Sequence, residues 1–80
     1  MKKKQEIIWT PKMKAKAILQ ARQKMNMTQE EFAPIMLTNN MTLCRWETGN
    51  RAIHEFRWRY FLDAVCMPFG ISFDKKGVIR

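Results

Sequence analysis

Between positions 39 and 51 the chain runs NNMTLCRWETGNR, and two kinds of chemistry are packed into it. An asparagine amide donates and accepts at once, which matches the edge of adenine. An arginine guanidinium, which only donates, gives two N–H groups to the O6 and N7 acceptors of guanine, and each good pair discriminates by about 1 to 3 kcal/mol. Asn39, Asn40 and Arg45 carry those groups, and Met41 and Cys44 between them offer apolar surface of the kind that meets a thymine methyl. These five are the candidate base-contacting residues. The pair Trp46 and Glu47 belongs to a different chemistry. A buried indole supplies apolar area, whereas a carboxylate beside it on a packed face needs a cationic partner.

Bond-breaking chemistry has no comparable set of residues. His54 is the single histidine, no Ser-His-Asp or Cys-His constellation can be placed in one site, and no glycine-rich phosphate loop is present, so the chain is not expected to be an enzyme. Cys44 and Cys66 lack the close spacing of zinc or redox pairs, which predicts two reduced thiols with no metal and no cofactor. Fifteen Lys and Arg against seven Asp and Glu give a net charge of +8, an excess that favours a polyanionic partner. Nucleic acid and an anionic membrane surface are the two candidates. A basic amphipathic membrane binder would leave the polar LTNN and WETG stretches without a role, so no membrane partner is expected. No apolar run approaches the roughly 18 residues of a membrane span, and Lys2, Lys3 and Lys4 lead into Gln5 and Glu6 rather than an apolar signal core, which predicts a soluble, cytoplasmic protein.

Eighty residues suffice for one domain with a modest core, and a hydrophobic fraction of 46% argues that the chain folds as a single unit. Residues 1 to 9 are expected to form an N-terminal arm and 67 to 80 a C-terminal tail. Thr10 and Pro11 mark a helix start. Helix 1 then runs to about Met25, with Met13, Ala17, Ile18, Ala21 and Met25 on one face and Lys12, Lys14, Lys16 and Lys24 largely elsewhere. Asn26 tolerates the left-handed conformation of a short connection. TQEE at 28 to 31 spells a capping box, opening a helix over roughly 28 to 36. Asn39 is an N-cap for a third helix that Gly49 stops. Its faces separate Leu43, Trp46 and Glu47, which can pack, from Asn40, Met41, Cys44, Arg45 and Thr48, which cannot. HEFRWRYFLDAVCM forms helix 4, closed by Pro68, and DKKG suits a type I turn in a small hairpin from Ile71 to Ile79.

This order of elements resembles the helix-turn-helix domains of the lambda-repressor and Cro group, the XRE family. The resemblance is carried by Gln29, Phe32, Ala33, Met36, Leu43 and Trp46, and by TQEEFA and RWETG at the family's separation, over about residues 15 to 66. It implies a compact all-α domain of four to five helices in which an arginine of helix 1, here Arg22, pairs with the carboxylate after the tryptophan, here Glu47. It also implies that Gln29 contacts a phosphate or braces helix 3, and that Thr48, Asn50 and Arg51 add backbone contacts. Lys2, Lys3 and Lys4 are candidates for an arm around the duplex. The function implied is sequence-specific binding of double-stranded DNA by a transcriptional regulator, a repressor of phage, plasmid or toxin-antitoxin type. The expected form is a homodimer whose half-sites lie one helical turn apart. The dimer surface is expected from helix 4 and the tail, through Phe69, Ile71, Phe73, Val78 and Ile79, although a tail hairpin could instead finish the monomer's own core. The alternative is a protein-interaction module, antitoxin-like, that keeps the shape and holds a partner protein such as a toxin.

Two residues depart from the family's pattern. Pro34 falls inside helix 2, where a missing amide and ring clash cost about 3 kcal/mol in a regular interior. A kink or a later start is the expected response. Leu37 occupies the turn position usually held by glycine, where a left-handed leucine costs roughly 1 kcal/mol or more, and a rearranged turn is the expectation there.

Overall fold

The computed structural model describes residues 8–80. Its first helix, α1, spans Pro11–Lys24, with the Thr10 hydroxyl accepting the Met13 amide at 3.2 Å and Pro11 in the first turn. The apolar face buries Ala15, Ala17, Ile18 and Ala21. The chain leaves α1 through Asn26 at φ +58°, and the amides of Asn26 and Met27 return to the carbonyls of Gln23 and Arg22. Those bonds satisfy carbonyls that the helix end would otherwise leave open.

The second helix, α2, covers Gln29–Ile35 behind the complete capping box of Thr28 and Glu31. Pro34 neither delays its start nor forces a new boundary. It is exposed, and the carbonyl whose intrahelical donor it removes belongs to Glu30, itself exposed, so water can take that place. The helix then closes on Leu37 at φ +58°, whose amide bonds to the Pro34 carbonyl while the Thr38 amide reaches Ala33 at 2.9 Å. The turn keeps the ordinary left-handed C-terminal closure with a leucine where glycine would be unstrained. The expected rearrangement does not occur.

Helix α3 spans Asn40–Thr48. The Asn39 side chain accepts the Thr42 amide at 2.8 Å, and Gly49 at φ +82° ends it. Leu43 and Trp46 are buried against the remaining helices. The stretch expected as one α-helix from 54 to 67 is two segments. Helix α4 spans Glu55–Tyr60, and a π-helical turn follows over Phe61–Cys66. The wider turn, with the Met67 amide reaching back to Leu62 at 3.2 Å, lets Phe61, Val65 and the adjacent Cys66 all face inward. The chain departs from the helix before Pro68.

The tail resolves the choice left open by its apolar residues. Ile71 is buried, Phe73 and Ile79 pack on the core, and Phe69 and Val78 stay outside. The expected hairpin is reduced to one antiparallel bridge, Phe73 with Ile79, closed by the turn in which the Gly77 amide bonds to the Asp74 carbonyl at 2.9 Å. The boundary of the N-terminal arm is also corrected. Trp9 is not part of a free arm: its ring meets Trp58 edge-on at 4.8 Å between centroids and Phe73 at 5.4 Å. Aromatic pairs at these distances add to ordinary burial, and they fasten both ends of the described chain to the same core. Among the described residues there is no sheet, and the fold is a small all-α domain around Ile18, Phe32, Met36, Leu43, Phe61 and Val65.

Candidate nucleic-acid interface

Helix α3 is held by a charged anchor on its inner side. Arg22 of α1 donates from Nε to Glu47 Oε2 at 2.7 Å and from Nη2 to Oε1 at 3.1 Å, a bidentate fork. Gln29, opening α2, donates Nε2 to the same Oε1 at 2.9 Å. A third bond made by Arg22, from Nη1 to the Met27 carbonyl at 3.0 Å, ties the fork to the connection between α1 and α2. The Glu47 side chain is 4% exposed and that of Arg22 16%, so the pair is shielded but not dry. Bidentate pairing of this kind fixes geometry as well as charge. Three helices are thereby set relative to one another, and the Glu47 charge is turned away from the outer face.

That outer face presents Asn40, Met41, Cys44 and Arg45, all exposed, and Met41 is 63% accessible despite its apolar side chain. No acidic residue occupies the first turn of α3, and with Glu47 neutralised by Arg22 the face carries Arg45 without an opposing carboxylate. Asn39 is placed differently. Its Oδ1 is committed to the cap on Thr42, so the amide keeps its donors but cannot offer the bidentate pair an adenine edge takes.

The candidate phosphate contacts also divide. Asn50 and Arg51 are exposed on the loop after α3. Thr48 is exposed too, but its hydroxyl donates to the Cys44 carbonyl at 3.0 Å and leaves that oxygen mainly an acceptor. Of the two roles open to Gln29, the bond to Glu47 is the bracing one. Lys2, Lys3 and Lys4 lie outside the described residues.

No protein-family model, curated protein or solved structure matches the chain.

Helix α4 adds residues that sequence reasoning passed over. Arg57 donates Nη1 to the Leu37 carbonyl at 3.0 Å, and the Tyr60 hydroxyl donates to the Ile35 carbonyl at 2.9 Å. Both bonds clamp the turn between α2 and α3, including the left-handed leucine itself. Aromatic and basic residues on a helix give no advance sign of such a role, because the carbonyls they reach are set by the tertiary fold. His54 caps α4, its Nδ1 accepting the Phe56 amide at 3.2 Å, which places the ring proton on Nε2 in the neutral form. The two thiols differ sharply. Cys44 is exposed on α3, whereas Cys66 is buried and its thiol is pushed up to about 12 by loss of solvent. Among the described residues no helix is long and apolar enough to cross a membrane.

Proposed function

We propose that the protein is a sequence-specific double-stranded DNA-binding regulator of the lambda-repressor and Cro kind, acting as a repressor by occupying a promoter. The observation that carries this reading is the anchor formed by Arg22, Gln29 and Glu47, which fixes α3 from behind while Asn40, Met41, Cys44 and Arg45 stand free in front. In a helix of nine residues, such an arrangement presents one short polar edge at a defined angle, as a recognition helix in a major groove requires. The net charge of +8 supplies the sequence-independent attraction to phosphate.

The reading includes a homodimer on a partial palindrome. Its contact is assigned to the apolar residues that the tail does not use for the monomer core. Met67, at the end of the π-helical turn, is 73% exposed, and Phe69 beside it is 56% exposed.

The test compares Asn40→Ala with the unmodified chain on an operator selected from random duplexes and on unselected duplex at one salt concentration. Loss of a base-edge contact should weaken operator binding by about 1 to 3 kcal/mol and leave unselected binding nearly unchanged. Equal weakening on both duplexes would remove α3 from the groove. Failure to enrich any duplex would favour the protein-interaction module.

A further inference from the structure

The basic side of α1 has no part in the interface described above, yet the fold brings two of its lysines to the loop that follows α3. Lys12 and Lys14 line a hollow together with Arg51, over a floor that includes Ala15, Trp46 and Ile53. A second hollow adjoins it at Arg51 and carries Thr38, Thr42, His54 and Arg57. Among the described residues, no carboxylate lines either one. The result is a trough with cations at Lys12, Lys14, Arg51 and Arg57 and neutral donors beside them.

Several of these groups are held in place by the fold. One arm of the Arg57 fork is bonded to the Leu37 carbonyl, and a guanidinium has further N–H groups to give. His54 spends Nδ1 on its cap, so the remaining ring nitrogen is the donor. Lys14 lies over the Trp58 ring at 5.5 Å, which limits its sweep. A row of cations and hydroxyl or ring donors without an acid is suited to an extended chain of phosphodiesters rather than to one small anion, because its charges are distributed along two hollows instead of converging on one point.

We propose that one backbone strand of duplex DNA follows this trough, from Arg57 and Thr42 past Arg51 to Lys12 and Lys14, so that α1 takes a direct part in binding. The inference rests on the DNA-binding reading. It enlarges the contact beyond α3 and its flanking loop and gives the basic side of α1 a divided role. Lys12 and Lys14 meet phosphate. Lys16 and Lys24, on the same helix but outside both hollows, meet no phosphate, and Lys24 Nζ donates instead to the Arg80 carbonyl at 3.4 Å.

The division is testable with two charge-matched variants of the full chain, Lys12→Gln/Lys14→Gln and Lys16→Gln/Lys24→Gln, each titrated with random-sequence duplex over a range of salt. Each neutralised phosphate contributes about 0.9 to the log-log slope of affinity against salt, so the first variant should lose about 1.8 from the slope and the second should keep the unmodified value. Because Lys14 packs over Trp58, thermal melts accompany the titration, and the single variant Lys12→Gln, at an exposed position, should by itself lose about 0.9. Equal slopes for the two double variants, or no change for Lys12→Gln, overturn the trough while a steep slope in the unmodified chain leaves DNA binding standing. An unmodified chain that binds no duplex at low salt overturns both.

Discussion

Glu47→Ala is the most informative single perturbation of the fold. The change deletes an acceptor that takes three bonds, two from Arg22 at 2.7 and 3.1 Å and one from Gln29 at 2.9 Å. What remains is a guanidinium whose side chain is 16% exposed and whose surviving hydrogen bond runs to the Met27 carbonyl. Breaking a fully buried pair costs about 3 to 5 kcal/mol. Arg22 can recover part of that by rehydration, and the alanine cavity is small, so the cost expected here is about 2 to 3 kcal/mol. For a domain of this size each kcal/mol moves the melting temperature by about 4 to 8 °C, and the loss should be plain in thermal and urea melts followed by circular dichroism. Glu47→Gln, which keeps one acceptor oxygen, should fall between, at about 1 kcal/mol. A Glu47→Ala protein within about 0.5 kcal/mol of the unmodified chain, the range of ordinary surface changes, would refute the anchor and with it the reason α3 is held as it is.

Three further outcomes follow from local geometry. Gly77→Ala should destabilise by about 1 kcal/mol or more in the same melts, because Gly77 holds φ +79° and a Cβ there would lie 3.0 Å from both Trp9 Cζ3 and Met13 Cε. Leu37→Gly should stabilise by about 0.5 to 1 kcal/mol, since the leucine is exposed and held at φ +58°. Below the ordinary aspartate range the tail turn should loosen. The amides of Val78 and Lys76 that bond to Asp74 hold its carboxyl below its usual value, with Arg80 and Lys76 adding charge attraction. A carboxyl lowered in the folded state contributes stability above its unfolded pKa and loses it as pH falls through the folded value. Amide exchange at Val78 should therefore quicken on acidification, and a rate that follows intrinsic chemistry alone would contradict this.

The sequence revealed most where local chemistry decides the structure. Thr10 with Pro11, the Thr28 to Glu31 box, Asn39 and Gly49 all sit at the helix ends they announce, because caps depend on neighbouring backbone alone. The partnership of Arg22 with Glu47 was legible only through resemblance, since the two are separated by 25 positions. Gln29 illustrates the limit: its residue type allowed two roles, and only the position of Glu47 chose one. The π-helical turn was hidden because Trp58, Phe61 and Val65 also fit an ordinary helix, and adjacent buried residues such as Val65 and Cys66 occur on ordinary helices too, as Ala17 and Ile18 do on α1. Trp9, Arg57 and Tyr60 were missed for a shared reason. Each acts on a partner far along the chain, Phe73, Leu37 and Ile35 respectively, and no local spacing encodes such a contact.

We propose that this chain binds duplex DNA through an electrostatically driven contact. The most direct measurement is the affinity of the unmodified protein for random-sequence duplex at about 50 mM and about 200 mM salt. Six or more phosphate contacts predict a loss of about a thousandfold or more between the two conditions. An affinity independent of salt, or no binding at the lower concentration, would contradict it.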